Sequence, residues 1–318
     1  MTTEMRPLGR SGMSTRPLSL GGNVFGWTAD EPTSFAILDR FVDAGFSLLD
    51  TADVYSKWVP GNSGGESEVI IGKWLKQSGK RDRVLIATKL GGEIAPGQKG
   101  LSVAHITRAV EDSLRRLQTD VIDLYQAHYA DPDTRYEETL RAFGDLIKAG
   151  KVRAIGASNH TPEQLKAAIA ASRQHNLPRY ETYQPLYNLY DREEFEQQYA
   201  PICRAEGIGV FSFYALASGF LTGKYRTQAD IDSAARKRTN SKYMTDRGFR
   251  ILKAMDEVSA RTGASLAKIA VAWIIAQPDI TAPIASATSL KQLEDLIAAT
   301  ALKLDAESLA TLNAASAY

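Results

Sequence analysis

Short apolar runs alternate with amphipathic stretches along this chain, and three consecutive runs end in an ionisable side chain. The run at Leu48 and Leu49 ends in Asp50, the next ends in Lys89, and the third ends in His128. Short apolar runs between loops are typical of strands that are buried on both faces. If these strands are parallel neighbours, their carboxyl ends meet at one edge, and the three polar groups lie close together.

The stretches between these runs carry apolar residues at helical spacing and begin with capping residues. Ser102 is a predicted N-cap, and Thr161-Pro162 opens another helix by N-cap and first-turn proline preferences. The predicted strands are 17–22, 48–50, 84–88, 121–127, 152–157, 180–183, 208–213 and 280–284. The predicted helices are 32–44, 66–76, 103–117, 134–149, 248–261, 265–277, 290–299 and 306–314, besides the one that begins at Thr161.

Eight strands, each followed by helix, predict an α/β fold with a single (β/α)₈ barrel domain over residues 1–318. Residues 6–13 are predicted to form an N-terminal β-hairpin that plugs one end, and extra helices close the C-terminus. A doubly wound open sheet is the competing fold. Its nucleotide fingerprint is not matched, because the residues from Gly21 to Gly26 do not fit G-x-G-x-x-G.

The composition of the 318-residue chain is that of a globular protein. Hydrophobic residues make up 44%, charged residues 24%, and the formal net charge is +1. This charge gives no reason to expect nucleic acid or an anionic membrane as partner. The first residues show no apolar signal region and no window approaches a membrane span, so we expect a cytoplasmic protein. A lone cysteine, Cys203, and four histidines without ligand spacing predict no metal site. The oligomeric state is left open by length and composition.

Asp50, Tyr55, Lys89 and His128 together suit the protonation of a carbonyl oxygen. A nearby ammonium favours the phenolate, so we expect Lys89 to lower the pKa of Tyr55 and Asp50 to be the counter-ion of Lys89. His128 could donate a hydrogen bond to the oxygen that Tyr55 protonates. Each residue alone has an ordinary structural interpretation, but their joint occurrence at successive strand ends favours catalysis.

Five segments in register resemble the aldo-keto reductase superfamily. They are 49–55, 86–89, 123–128, 155–159 and 216–224. The resemblance implies a barrel that binds NADP(H) without a Rossmann domain and reduces aldehydes or ketones by hydride transfer. It also implies that Tyr55 is the general acid, that Lys89 and Asp50 tune it, and that His128 orients the substrate carbonyl.

The resemblance further implies cofactor contacts along the strand ends. Ser158, Asn159 and Gln184 would hold the nicotinamide carboxamide, and Phe213 would lie against the ring. The pyrophosphate would lie along Leu216, Ser218 and Lys224, with Gly22, Asn23 and Asp50 nearby. The adenosine end would contact Ser286, Thr288, Gln292 and Asp295. Several of these residues also have a simpler interpretation as helix caps or loop hydrogen-bonding groups.

The chain departs from the family pattern at the adenosine end and in the loop after strand seven. Many relatives have an arginine near Thr288 and an asparagine near Leu296, and this chain has neither. Lys291 and the basic run 236–238 could supply charge instead, so NADPH is expected and NADH is not excluded. Tyr214 stands where a small residue is usual.

The loops after the strands suggest the substrate cleft and two lids. Trp27, Trp58 and Tyr129 are predicted to line the cleft, although each could only pack its own loop. The segments 54–65 and 222–246 are predicted to order over the bound cofactor.

Two alternatives to a reductase follow from the sequence. The chain also resembles the β-subunits of voltage-gated potassium channels, which share the barrel and bind the same cofactor as regulatory subunits. Those subunits typically have asparagine where this chain has His128, which favours catalysis here. A barrel isomerase or lyase with a phosphorylated substrate is the other alternative, and it would not bind nicotinamide.

Overall fold

The computed structural model describes residues 4–227, 229–230 and 241–318, and within these residues eight parallel strands close into a barrel. The strands follow the predicted apolar runs, and a short antiparallel pair precedes them. The strands are β1 (Arg6–Pro7), β2 (Ser14–Thr15), β3 (Ser19–Gly21), β4 (Leu48–Asp50), β5 (Leu85–Leu90), β6 (Ile122–Ala127), β7 (Val152–Ser158), β8 (Tyr180–Gln184), β9 (Gly209–Ser212) and β10 (Ala282–Ala285). This architecture confirms the predicted (β/α)₈ barrel with its N-terminal hairpin.

Helices pack around the outside of the barrel. Those of the described residues are α1 (Glu31–Asp43), α2 (Glu66–Ser78), α3 (Val103–Leu117), α4 (Tyr136–Lys148), α5 (Pro162–His175), α6 (Ala200–Glu206), α7 (Asp246–Thr262), α8 (Leu266–Ile275), α9 (Leu290–Ala299) and α10 (Ala306–Ser316). The bounds of α3 and α9 are those predicted. The predicted caps are confirmed as well, since Ser102 accepts from His105 and Thr161 forms a capping box with Gln164.

The barrel closes in the order β10-β3-β4-β5-β6-β7-β8-β9. Leu48 and Ala87 pack in the barrel floor, so the side chains two residues later, Asp50 and Lys89, also point into the barrel. The two strands are hydrogen-bonded neighbours, with Asp50 opposite Ala87. Strand register therefore brings an acid and a base together above an apolar floor.

The N-terminal hairpin lies against the lower end of the barrel. Leu8 is fully buried and packs with floor residues such as Leu48 and Phe211. Gly9 has φ +60, and a Cβ there would lie 2.0 Å from the carbonyl oxygen of Glu181, so only glycine fits this approach to β8. The hairpin is therefore a plug that completes the core.

Two further sequence expectations can be compared with the fold. Cys203 lies buried in α6, where it packs as a small core residue. Within the described ranges no single helix is long and apolar enough to cross a membrane. Only α7 and α8 taken together pass that test, and they meet at 96°.

Shortening Leu8 to alanine should destabilise the protein, because the side chain fills the barrel floor. We expect Leu8→Ala to lower the free energy of unfolding by about 2–5 kcal/mol, as for other buried leucines. Met5→Ala is the matched control. Met5 is 53% exposed, so its loss should change stability by less than about 0.5 kcal/mol. Urea denaturation followed by circular dichroism measures both, and equal effects would show that the hairpin is not part of the core.

Candidate functional site

A buried ion pair lies at the centre of the barrel mouth. Lys89 is completely buried, and its Nζ lies 2.8 Å from Asp50 Oδ2. The same ammonium donates to the carbonyl oxygen of Thr51 at 2.7 Å and to the hydroxyl of Tyr55 at 2.9 Å. All three ammonium protons are thus engaged, which offsets the cost of burying the charge.

Tyr55 is held above this pair by the turn that follows β4. Its backbone N–H donates to the carbonyl oxygen of Ala52, and Ser56, in a left-handed conformation, ties the turn to the carbonyl oxygen of Phe25. Because Lys89 donates to the phenol oxygen, the proton of the phenol is free to point elsewhere. Asp50 Oδ2 lies 3.4 Å away, a long contact that a carbonyl oxygen in the cleft could replace.

The pKa of Tyr55 differs from the sequence expectation. Burial raises it well above its ordinary value, and the carboxylate of Asp50 raises it further. The prediction that Lys89 lowers this pKa considered the ammonium alone and left out burial and the neighbouring acid. The phenol is therefore protonated at neutral pH, which is the state that a proton donor needs.

His128 directly follows β6, and its ring lies beside that of Tyr55. Its backbone N–H donates to the carbonyl oxygen of Leu90, and its ring lies 6.1 Å from the Tyr55 ring and stacks on Tyr129 at 4.6 Å. Burial and the charge of Lys89 lower the pKa of His128 to about 3. The imidazole is therefore neutral. Its Nδ1 is buried and has no hydrogen-bond partner among the described residues.

The three predicted carboxamide-binding residues lie beside this group. Gln184 Nε2 donates to Asp50 Oδ1 at 2.9 Å, so the second carboxylate oxygen of Asp50 is also occupied. Ser158 Oγ donates to the carbonyl oxygen of Gln184, and Asn159 Nδ2 donates to that of His128. No described residue donates to the side-chain oxygen of Asn159 or Gln184. These two amide oxygens fit a ligand that offers an N–H group.

Glycines allow the loops after β3 and β10 to approach each other closely. A Cβ on Gly21 would lie 2.5 Å from Ser286 Oγ, and one on Gly22 would lie 2.8 Å from Ser67 Oγ. Ser286 Oγ donates to Asn23 Oδ1 at 2.5 Å between the two loops. The predicted residues Gly22, Asn23 and Ser286 are therefore brought together by this close approach.

The other residues predicted for the adenosine end have partners within the chain. Gln292 Oε1 accepts from the backbone N–H and the hydroxyl of Thr288, so this pair also serves the start of α9. Asp295 forms an ion pair with Lys268 at 3.0 Å, on the side of α8. The structure therefore brings Thr288 and Gln292 into contact and pairs Asp295, on the same helix, with Lys268.

The loop after β9 carries the predicted ring-stacking and pyrophosphate residues. Phe213 is half-buried, and Leu216 precedes the 3₁₀ segment Ala217–Thr222. Ser218 in that segment is left-handed with φ 56, and Lys224 is exposed. The basic run 236–238 lies outside the described residues, as does part of the predicted lid 222–246.

Aromatic side chains lie around Tyr55 at the mouth of the barrel. Trp58 lies 6.1 Å from the Tyr55 ring and 5.6 Å from Trp27, measured between ring centroids. Trp58 and Tyr129 are 50% and 47% exposed. The structure therefore brings the three predicted substrate residues to the same rim.

A second buried charge network, which the sequence interpretation missed, lies behind Lys89. Glu68 is fully buried, accepts from Thr88 Oγ1 at 2.6 Å and pairs with Arg116 at 2.7 Å. Burial and the charge of Glu68 raise the pKa of Asp53 well above its ordinary value. The side chain of Arg116 is only 17% exposed, so this residue of α3 belongs to the interior and not to a solvated helix face.

A signal for this network is present in the sequence. Glu68 shares the buried face of α2 with Ile71 and Leu75, at positions i, i+3 and i+7. A carboxylate on an apolar helix face needs a cationic partner, and Arg116 supplies it. Among the described residues no group of three or more His, Cys, Asp or Glu side chains is placed to hold a metal ion.

Comparison with known proteins agrees with this geometry. The model of the Aldo/keto reductase family matches residues 17–317. The chain is 37% identical to Uncharacterized oxidoreductase YrpG of Bacillus subtilis, over 96% of this chain and 94% of that protein. It is 35% identical to Aldo-keto reductase YhdN of Bacillus subtilis, over 93% and 86%.

A relative with a different description matches nearly as well. The chain is 32% identical to the Probable voltage-gated potassium channel subunit beta of Oryza sativa subsp. japonica, over 91% of this chain and 89% of that protein. The family match spans the whole barrel, with the strand ends that carry Asp50, Lys89 and His128. Because the family model matches residues 17–317 and the relatives include an aldo-keto reductase and an oxidoreductase, the chain belongs to the aldo/keto reductase family and is an NAD(P)H-dependent oxidoreductase.

Proposed function

We propose that the protein reduces aldehydes or ketones to alcohols with NADPH, and that Tyr55 supplies the proton. The single observation that supports this most is the hydrogen bond of 2.9 Å from Lys89 Nζ to the Tyr55 hydroxyl, above the buried Asp50. It leaves a protonated phenol whose O–H can point into an open cleft. A proton donor at a carbonyl oxygen is what a reductase needs when the carbon receives a hydride.

The residues at the strand ends fit a nicotinamide cofactor. When bound, this cofactor supplies the hydride to the carbonyl carbon. Asn159 and Gln184 would hold its carboxamide, because their side-chain amide oxygens lack donors within the described chain. The hydroxyl of Ser158, which donates to the carbonyl oxygen of Gln184, would lie beside them. The half-buried ring of Phe213 would pack against the nicotinamide. The proposed pyrophosphate contacts are Gly22, Asn23, Leu216, Ser218 and Lys224, and the proposed adenosine contacts are Ser286, Thr288, Gln292 and Asp295.

Each of the four residues at the centre of the site, Asp50, Tyr55, Lys89 and His128, has a separate part in the proposed reaction. Tyr55 donates its proton to the carbonyl oxygen, and Lys89 stabilises the phenolate that is left. Asp50 holds Lys89 in place through the 2.8 Å ion pair. His128, neutral with a pKa of about 3, donates from Nε2 to the same carbonyl oxygen and orients it. Trp27, Trp58 and Tyr129 hold the remainder of the substrate.

A regulatory subunit of the channel type is the second candidate. The observation that favours it is the 32% identity to a relative with that description. His128 and the complete Asp50–Tyr55–Lys89 group favour catalysis, since a purely regulatory subunit has no need of a protonated phenol above a buried ion pair. Binding of NADPH without turnover of any carbonyl would support the regulatory alternative.

Replacing Tyr55 by phenylalanine should abolish reduction and spare cofactor binding, because only the hydroxyl is lost. We expect kcat to fall by roughly 10²- to 10⁴-fold, as for other general acids. The measurement is the loss of nicotinamide absorbance with 4-nitrobenzaldehyde, with NADPH affinity from fluorescence titration. Tyr136→Phe, on α4 at the outside of the barrel, is the control and should behave as wild type. Full activity in Tyr55→Phe would disprove the assigned role.

The pH profile of kcat should lack an acid limb near the ordinary histidine pKa. With a pKa lowered to about 3, His128 is neutral throughout the range above about pH 5. Burial lowers the pKa of Lys89, so the rate should fall only on the alkaline side, where Lys89 and then Tyr55 lose their protons. His128→Gln, which keeps an N–H donor that does not titrate, should retain the shape of the profile. A limb near pH 6.5 that disappears in this variant would contradict the neutral assignment.

NADPH should be preferred to NADH, because Lys291 at the start of α9 is an exposed cation beside Gln292. We expect Lys291→Gln to lower the ratio of kcat/KM for NADPH over NADH by about threefold, the effect of one exposed charge on a phosphate. Added salt should reduce the preference of the wild type in the same direction. Lys166→Gln, an exposed lysine on α5, is the control. Equal rates with both cofactors would contradict this assignment.

A further inference from the structure

Tyr214 has a backbone conformation that a bulky side chain seldom adopts. It lies two residues after β9, at the same end of the barrel as Tyr55, and its φ is 61. Left-handed backbone is disfavoured by the Cβ atom, and glycine or asparagine is the usual residue there. The side chain is 43% exposed, so burial of the ring does not account for its position. Such strained residues are concentrated at functional sites.

The surrounding residues hold this conformation firmly. Asn188 is fully buried, and its Nδ2 donates to the carbonyl oxygen of Tyr214 at 3.1 Å. The backbone N–H of Ala217 donates to the same carbonyl oxygen at 2.8 Å. Asn188 is itself fixed, because its Oδ1 accepts from the backbone N–H groups of Tyr190 and Asp191. The direction in which the Tyr214 side chain leaves the backbone is therefore set by the fold.

This direction brings Tyr214 to the mouth of the cleft. β9 is separated from β4 by two strands of the barrel and from β6 by two others, so its loop faces the loops that carry Tyr55 and Tyr129. Burial raises the pKa of Tyr129, and the neighbouring phenol of Tyr214 raises it further. The phenol of Tyr214 also adds to the raised pKa of Tyr55, after burial and Asp50. The Tyr214 ring lies 5.4 Å from Phe213, the residue that directly follows β9. The strand order and this ring contact together place Tyr214 at the mouth of the barrel.

We propose that Tyr214 is a specificity-determining residue whose ring forms the wall of the substrate cleft opposite Trp58 and Tyr129. A carbonyl compound that reaches Tyr55 must then lie between aromatic faces. Flat carbonyl compounds, aromatic or conjugated, pack against both faces, whereas puckered saturated rings of equal size do not. The inference rests on the proposed reductase function and adds the class of substrate that this chain selects.

The test compares benzaldehyde with cyclohexanecarbaldehyde, two uncharged aldehydes of similar size that differ in flatness. The quantity measured is the ratio of their kcat/KM values with NADPH, since intrinsic reactivity cancels when variants are compared. We expect Tyr214→Ser to lower this ratio by about tenfold, mainly through KM for benzaldehyde, a size typical of pocket contacts. Tyr214→Phe should retain the ratio, because the ring is kept. Tyr318→Ser, an exposed tyrosine at the C-terminus, is the matched control.

Equal losses with both aldehydes in Tyr214→Ser would overturn the proposal and indicate an effect on the fold. A constant ratio with a changed KM for NADPH would also overturn it and assign Tyr214 to the cofactor. Failure of the proposed function is a different result, in which the wild type turns over neither aldehyde. Calorimetry with benzyl alcohol and cyclohexylmethanol then decides. A preference for benzyl alcohol that Tyr214→Ser loses supports the aromatic wall, and equal affinities in wild type and variant refute it.

Discussion

The ion pair between Lys89 and Asp50 is the interaction on which the site depends. A charge inside a barrel is costly unless every donor and acceptor is paired, and a single missing partner would leave an uncompensated buried group. Lys89 meets this requirement with Asp50, Thr51 and Tyr55, and Asp50 meets it with Lys89 and Gln184. The Tyr55 phenol is thus held where it accepts the third hydrogen bond of the Lys89 ammonium. The geometry of the proposed catalytic group and the stability of the core therefore depend on the same hydrogen bonds.

This constraint extends outward through a second layer. Thr88, next to Lys89, donates to Glu68, and Glu68 pairs with Arg116 on α3. The backbone N–H of Asp53 donates to the carbonyl oxygen of Lys89. Two buried acids and a guanidinium therefore support the strand that carries the lysine, and the outer helices take part in holding the centre. In the low-dielectric interior such hydrogen bonds hold their members firmly, and they are made by Thr88, Glu68 and Arg116.

The parts of the site that were predictable from the sequence are those fixed by strand periodicity. Asp50, Lys89 and His128 each end an apolar run, and parallel register then brings them together. The Glu68–Arg116 pair was missed because its partners lie far apart in the chain and meet only through helix packing. The predicted direction of the Tyr55 pKa shift was wrong, because the sequence of a loop does not show how deeply its side chains are buried. No bounds were predicted for α6, where the chain first makes the π-helical segment Phe195–Tyr199.

The groups proposed for the reaction and those proposed for substrate selectivity also differ in how the fold holds them. The ion pair of Lys89 and Asp50 that supports the proposed proton donor is buried and held by strand register, so substitutions in it are costly. The aromatic rim is different, because Trp58, Tyr129 and Tyr214 lie in loops and are each about half exposed. Changes there cost little stability, since few contacts are lost. Tyr214 is the exception among them, with a strained backbone held by buried Asn188. The fold therefore supports the one rim residue to which we assign selectivity, although its backbone is strained.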